Sequence, residues 1–139
     1  MSLQPLLEAS WVIQLHAFAA FAAFVLGLVQ LAAPKGTLPH RSLGFVWVVL
    51  MAAVTISSIF IRPSQTTGLP ISQWFGWIHV FTIITAYGLI GGIIILVKGG
   101  PSLKKHKGPF IGIFFGGIIV AGAFSFMPGR IMHDVLFGV

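Results

Sequence analysis

The sequence contains no cysteine, which excludes disulfides, iron–sulfur clusters and thiolate metal sites. It holds two acidic residues in 139, Glu8 and Asp134. No carboxylate therefore lies within an apolar stretch, which argues against a proton pump or a carboxylate-coupled transporter. Charged residues make up 7% of the chain, against about 25% in soluble domains. So few charges cannot clothe a protein of this size in water, and a soluble enzyme is excluded. No G-x-S-x-G, H-E-x-x-H, P-loop or EF-hand pattern occurs. There is no dinucleotide-binding domain either, so any electrons would come from a small molecule, a quinol or a partner.

What is present is apolar. Hydrophobic residues are 57% of the chain, and the mean hydropathy is +1.02. Disorder is excluded on the same ground. No Asp, Glu, Lys or Arg occurs from Ala9 to Pro34, Ser42 to Ile61, Pro63 to Val97, or Gly108 to Gly129. Each interval covers the roughly 20 residues that cross a hydrocarbon core. The pattern predicts an all-α polytopic membrane four-helix bundle, a single transmembrane domain over 1–139, with spans near 11–33, 42–61, 74–97 and 109–127. The runs are continuous and lack the polar/apolar alternation of a β-barrel. The first run is too long for a signal-peptide core and no basic region precedes it, so it is expected to be a retained span.

Charge asymmetry sets the expected orientation. The 1–2 and 3–4 connections carry Lys35, Arg41, Lys98, Lys104, Lys105 and Lys107, and no acid. The opposite side carries Arg62 and Arg130 with both acids. By the positive-inside rule the two basic loops are cytoplasmic and both termini periplasmic, in a bacterial inner membrane. The net charge of +6 is largely this signal, and nucleic-acid binding is not implied. The bland role of Lys104–Lys107 is contact with anionic lipid.

The chain also repeats itself. At a constant offset of 63, Trp11 matches Trp74, Leu15 matches Ile78, His16 matches His79, Phe18 matches Phe81, Phe24 matches Tyr87, Leu26 matches Leu89, and Lys35-Gly36 matches Lys98-Gly99. After a three-residue insertion, His40-Arg41 aligns with His106-Lys107. Ser58-Ile59-Phe60-Ile61-Arg62-Pro63 resembles Ser125-Phe126-Met127-Pro128-Gly129-Arg130. The reading is a duplicated helical hairpin, halves 1–63 and 64–139, forming a 2+2 parallel repeat about an axis near the membrane normal.

Duplication places like groups opposite one another. His16 and His79 lie roughly 7 Å inside the outer boundary at 1.5 Å per residue. A pseudo-twofold axis would bring them face to face, as bundle cores hold cofactors. Below His16 runs a stripe of Ala20, Ala23, Gly27 and Gln30, suited to a flat macrocycle or to a close helix. Two readings of the pair stand: haem ligation, or a neutral imidazole hydrogen-bonded to a neighbouring helix. His40 and His106 form a second, weaker pair at the cytoplasmic boundary. Pro39 could open the second helix and place His40 in its first turn. Pro109 more naturally begins the fourth, which would leave His106 in a loop. His133 is expected in an exposed tail.

Arg62 and Arg130 could clamp haem propionates or an anionic substrate, or serve orientation alone. Gly112-x3-Gly116 with Gly117, and Gly88, Gly91 and Gly92, read as helix-packing surfaces. Trp11, Trp74 and Trp77 read as an interfacial aromatic belt. Ser57, Ser58 and Ser125 are expected to satisfy helix-end carbonyls. Tyr87, in mid-span, requires a hydroxyl partner or a ligand.

The strings His40-Arg41-Ser42-Leu43-Gly44-Phe45-Val46-Trp47, Ser58-Ile59-Phe60-Ile61, Trp77-Ile78-His79 and Pro128-Gly129-Arg130 resemble an uncharacterised family of bacterial four-helix inner-membrane proteins, a domain of unknown function. The likeness covers nearly the whole chain. It implies a His-Arg pair opening the fourth helix too; here the string is His106-Lys107-Gly108-Pro109, a departure that weakens a ligand role for His106. The plan is also similar to the ascorbate-reducible transmembrane cytochrome b family, at the level of architecture. That resemblance implies one or two b haems, with His16 paired with His79 and His40 with His106. The two levels would lie about 25 Å apart along the helices.

The function expected is a small b-type-cytochrome-like protein moving electrons across the membrane through bis-His haem, from a quinol or another reductant. The alternative is a non-catalytic accessory subunit of a larger respiratory or photosynthetic membrane complex. A small transporter is a third class, disfavoured by the missing carboxylates.

Overall fold

A computed structural model gives the fold, and it describes residues 1–61, 76 and 79–138. Four helices are long and apolar enough to cross a membrane: α2 (Trp11–Ala32), α3 (Leu38–Phe60), α4 (His79–Lys98) and a fourth span, Lys107–Ser125. At 22 residues, α2 is about 33 Å long, enough for a hydrocarbon core of about 30 Å. The fourth span is composite. It begins as α5 (Lys107–Gly112), widens into a π-helical segment (Ile113–Val120) and ends as α6 (Ala121–Ser125). The fold is an all-α, polytopic membrane bundle, with no strand among the described residues.

Each span packs on its chain neighbours, and the fourth closes back on α2. Consequently α2 and α4 stand on one diagonal of a square bundle, with α3 and the fourth span on the other. The core at mid-height is Ala23, Trp47, Met51, Leu89, Ile113, Phe114 and Ile118. Lipid tails are as apolar as these side chains, so the helices are held by close packing and interhelical hydrogen bonds. Small residues permit that closeness. A Cβ on Gly27 would meet the Phe114 ring and the Trp47 indole, one on Gly92 would meet Phe110, and one on Gly117 would meet Thr85. The Trp47 indole N–H donates to the Ala23 carbonyl at 2.9 Å, tying α3 to α2.

The glycine reading therefore divides. Gly88, Gly92 and Gly117 are packing positions as expected, whereas Gly91, Gly112 and Gly116 have open space where a Cβ would point. The reason is helical phase: Gly92 and Gly117 face the α4–fourth span contact, and their neighbours in sequence are turned about 100° away.

Helix boundaries differ from expectation where capping decides. α3 begins at Leu38, earlier than 42, because the Thr37 hydroxyl accepts from the His40 backbone N–H at 3.3 Å and Pro39 sits in the first turn, where no N–H is needed. The fourth span begins at Lys107 instead of 109 and ends at Ser125 instead of 127. Pro109 is tolerated because it too lies among the first residues, whose N–H groups have no intrahelical partner. The expected start of α4 near 74, with Trp74 and Trp77, falls outside the described residues.

The connections carry the Lys-Gly strings. Gly36 and Gly99, equivalent in the repeat, both take left-handed backbone, at φ +83° and +63°. The Lys35 ammonium bends back to donate to the carbonyls of Gln30 and Leu31 at the end of α2. A 3₁₀ segment, Gly100–Lys105, leads into the fourth span.

Two short helices were not anticipated. α1 (Gln4–Leu7) and α7 (Ile131–Phe137) pack on one another at the end of the bundle opposite these connections. Leu6 and Val135 are buried between them, and the Ser2 N–H donates to the Val135 carbonyl at 3.0 Å. This corrects the reading of His133 as an exposed tail residue. It is half-buried and packed at a tilt against Phe137, with ring centroids 4.7 Å apart.

Candidate functional site: the histidine levels of the bundle

His16 lies in the second turn of α2 and His79 is the first described residue of α4. Both sit toward the end capped by α1 and α7. His79 is 6% exposed and His16 is half-buried.

The tautomers follow from their partners. His16 Nδ1 lies 3.1 Å from the Val54 carbonyl and 3.0 Å from Ser57 Oγ. A carbonyl accepts only, and the Ser57 hydroxyl donates to the carbonyls of Ala53 and Val54. His16 Nδ1 must therefore carry the hydrogen. His79 Nδ1 lies 3.3 Å from the Gly76 carbonyl, so it carries its hydrogen by the same logic. In each ring Nε2 is then the nitrogen with the lone pair. Orientation of one ring nitrogen by a carbonyl is how proteins prepare the other for a metal.

His16 is joined to a hydroxyl of α3, and His79 lies one turn from a second hydroxyl link. Ser57 serves His16, and the adjacent Ser58 pairs with Thr82 at 3.1 Å, one turn from His79. A polar layer thus runs from α2 through α3 to α4. Ser57, Ser58 and Ser125 also satisfy local carbonyls as expected, at 2.6, 2.7 and 2.6 Å. The link from Ser57 to His16 was not legible in the sequence, since nothing local tells which residue of a second helix reaches a histidine on the first. His16 Nδ1 turns to the neighbour α3, which is the hydrogen-bonded arrangement that the second reading of the pair expected.

The small-residue stripe below His16 resolves in favour of a close helix at its middle. Trp47 and Phe114 occupy the space over Ala23 and Gly27. Any group placed between His16 and His79 would be confined to the first turns at this end. Among the described residues no three or more metal-ligating side chains cluster. Two imidazoles are few protein ligands for a bare metal ion, which would need further donors from outside the chain.

At the other end the structure brings His40 and His106 near each other. His106, Lys35 and Lys107 are all within electrostatic reach of His40. Gln30 Nε2 donates to the His40 backbone carbonyl at 2.9 Å. His40 Nδ1 and Gln30 Oε1 are shielded and have no hydrogen-bond partner among the described residues. The His106 ring packs on Phe110, with centroids 6.2 Å apart, and Phe110 meets Trp47 edge-on at 5.8 Å. His106 precedes the first residue of α5, so it is not stranded in a loop. Arg130 precedes α7 and is half-buried at the terminal end. Arg62 lies outside the described residues.

Bundle and spans define an integral membrane protein with no soluble domain among the described residues. The family described as "Predicted membrane protein (DUF2306)" matches residues 13–111, from the first turn of α2 into α5. The chain belongs to that family. Pro128-Gly129-Arg130 lies beyond the matched residues. No curated protein and no solved structure matches the chain.

Proposed function

We propose that this chain is a small b-type-cytochrome-like electron carrier, in which His16 and His79 would hold one haem b and His40 and His106 would hold a second. The observation that carries this reading is a shared geometry: one histidine from each half of the repeat, at one end of the bundle, each with Nδ1 at hydrogen-bond distance from a backbone carbonyl. Haem, when bound, supplies one-electron chemistry. The chain's own residues hold and orient. Val54 and Ser57 fix the His16 ring, the Gly76 carbonyl fixes His79, and Trp47 with Phe114 closes the bundle beneath them. Arg130 and Arg62 are the cations for propionates. The basic loops support an orientation with the second pair on the cytoplasmic side of a bacterial inner membrane and the termini outside. A quinol dissolved in the bilayer is the donor class that this setting suits.

The test is the visible spectrum of protein purified from haem-replete cells. A b-type reduced-minus-oxidised difference and a positive pyridine haemochrome are expected, with this haem's share of both lost on His16→Ala or His79→Ala and the share of the second pair retained. A colourless preparation negative in the haemochrome assay refutes the reading.

One observation favours the accessory-subunit reading. Tyr87, midway along α4, is 83% exposed on the lipid-facing side of the bundle. A phenol hydroxyl in hydrocarbon lacks an acceptor, and a neighbouring subunit of a respiratory or photosynthetic complex would supply one. Co-purification with a defined complex in mild detergent supports this, and migration as an isolated monomer on native gels opposes it.

A further inference from the structure

The two connections at the basic end meet at one surface. Arg41, Lys98, Lys104, Lys105 and Lys107 are all exposed there. They come from both hairpins, Arg41 from the first and Lys98, Lys104, Lys105 and Lys107 from the second, and Phe110 at the start of the fourth span packs on Trp47 of α3. Lys35 is already committed to the carbonyls that end α2. The remaining five have no counter-charge within the chain. Its whole complement of acids is Glu8 and Asp134. Glu8 follows α1 and Asp134 belongs to α7, at the far end of spans about 30 Å long. The charge must be balanced from outside.

The sequence holds the patch at a defined depth. Lys98 is the last residue of α4, and Gly99 and Gly100 turn the chain with φ of +63° and +57°. The 3₁₀ segment Gly100–Lys105 then carries Lys104 and Lys105 before Lys107 opens the fourth span. Four lysines are thus held within a turn or so of the points where two spans leave the hydrocarbon. The anion found at that depth is a phospholipid phosphate.

We propose that this surface is a binding site for anionic phospholipid head groups, contributed jointly by the two hairpins. It is independent of any haem. Charge complementarity carries it: five exposed cations facing the head-group layer with no acid on their side. An acidic protein segment is the competing occupant.

Native mass spectrometry of the full chain tests the site in detergent doped with equal amounts of dioleoyl-phosphatidylglycerol and dioleoyl-phosphatidylcholine. The expected result is several-fold preferential retention of phosphatidylglycerol, falling as salt rises. Removing charge by K104Q/K105Q/K107Q should reduce the preference by about fivefold or more, since each basic residue near an anionic surface contributes about that factor. The charge-conserving K104R/K105R/K107R should keep it, and the single variant K105Q should fall between, which separates loss of charge from failure to fold. Equal retention of the two lipids overturns the proposal, as does a preference untouched by the glutamine variant. Displacement of the lipid by an equal concentration of soluble glycerol phosphate would assign the site to a free phosphate compound and also overturn it.

Discussion

Gly91→Ala and Gly92→Ala are adjacent substitutions in one helix at one depth, and the structure assigns them opposite effects. In both, replacing glycine by alanine in a helix interior gains up to about 1 kcal/mol from restricted backbone freedom. That gain is common to the pair and cancels in the comparison. At Gly91 a Cβ meets nothing within 4 Å. At Gly92 it would lie 2.5 and 2.6 Å from Phe110 Cε1 and Cζ, roughly 1 Å inside normal carbon–carbon contact. The Phe110 ring cannot simply withdraw, because its other side meets Trp47, whose indole N–H is bound to the Ala23 carbonyl. Overpacking of this kind costs about 1–3 kcal/mol. Gly92→Ala should therefore be less stable than Gly91→Ala by about that amount, a factor of roughly 5 to 150 in the unfolding equilibrium. The assay is equilibrium unfolding in mixed micelles titrated with dodecyl sulfate, followed by circular dichroism. Gly92→Ala/Phe110→Leu should recover part of the loss and give a favourable coupling in a double-mutant cycle. If the two single variants agree within about 0.5 kcal/mol, the helix phase described here is wrong.

Three further outcomes follow from single bonds. Trp47→Phe loses the donor to Ala23 and part of the buried indole, so it should cost about 0.6 kcal/mol for the hydrogen bond plus a cavity term, roughly 1–3 kcal/mol in all in the same assay. Thr37→Ala removes the cap on α3, costing about 1 kcal/mol; hydrogen exchange should quicken at the His40 and Arg41 amides and stay unchanged in mid-helix. Tyr87→Phe should leave monomer stability within about 0.5 kcal/mol of wild type, yet shift the chain to lower apparent mass on native gels when α4 faces a subunit.

Much of the site was legible as a set of residues but not as an arrangement. The offset of 63 between His16 and His79 is a property of the chain, and both histidines do lie toward one end. Their hydrogen-bond partners are not local. Val54 and Ser57 are 38 and 41 residues from His16, and only packing of α3 on α2 brings them there. The serines behave differently because a hydroxyl three or four residues along a helix always reaches its own backbone, so their carbonyl bonds could be read directly.

The glycines mark the same boundary. In sequence Gly91 and Gly92 are indistinguishable, and so are Gly116 and Gly117. Which of each pair faces a neighbour depends on the rotation of the helix about its axis, and in hydrocarbon apolar character does not set that rotation. Composition, the scarcity of charge and its clustering determined by themselves that this is a four-span membrane protein with one basic end. Those are sums over residues, and crossing a bilayer is decided by such sums. Tertiary packing alone decided that Trp47 and Phe114 fill the stripe beneath His16, that α1 and α7 cap one end, and that Tyr87 faces outward. Each of those is a relation between helices, fixed by the fit of side chains that lie far apart in the chain.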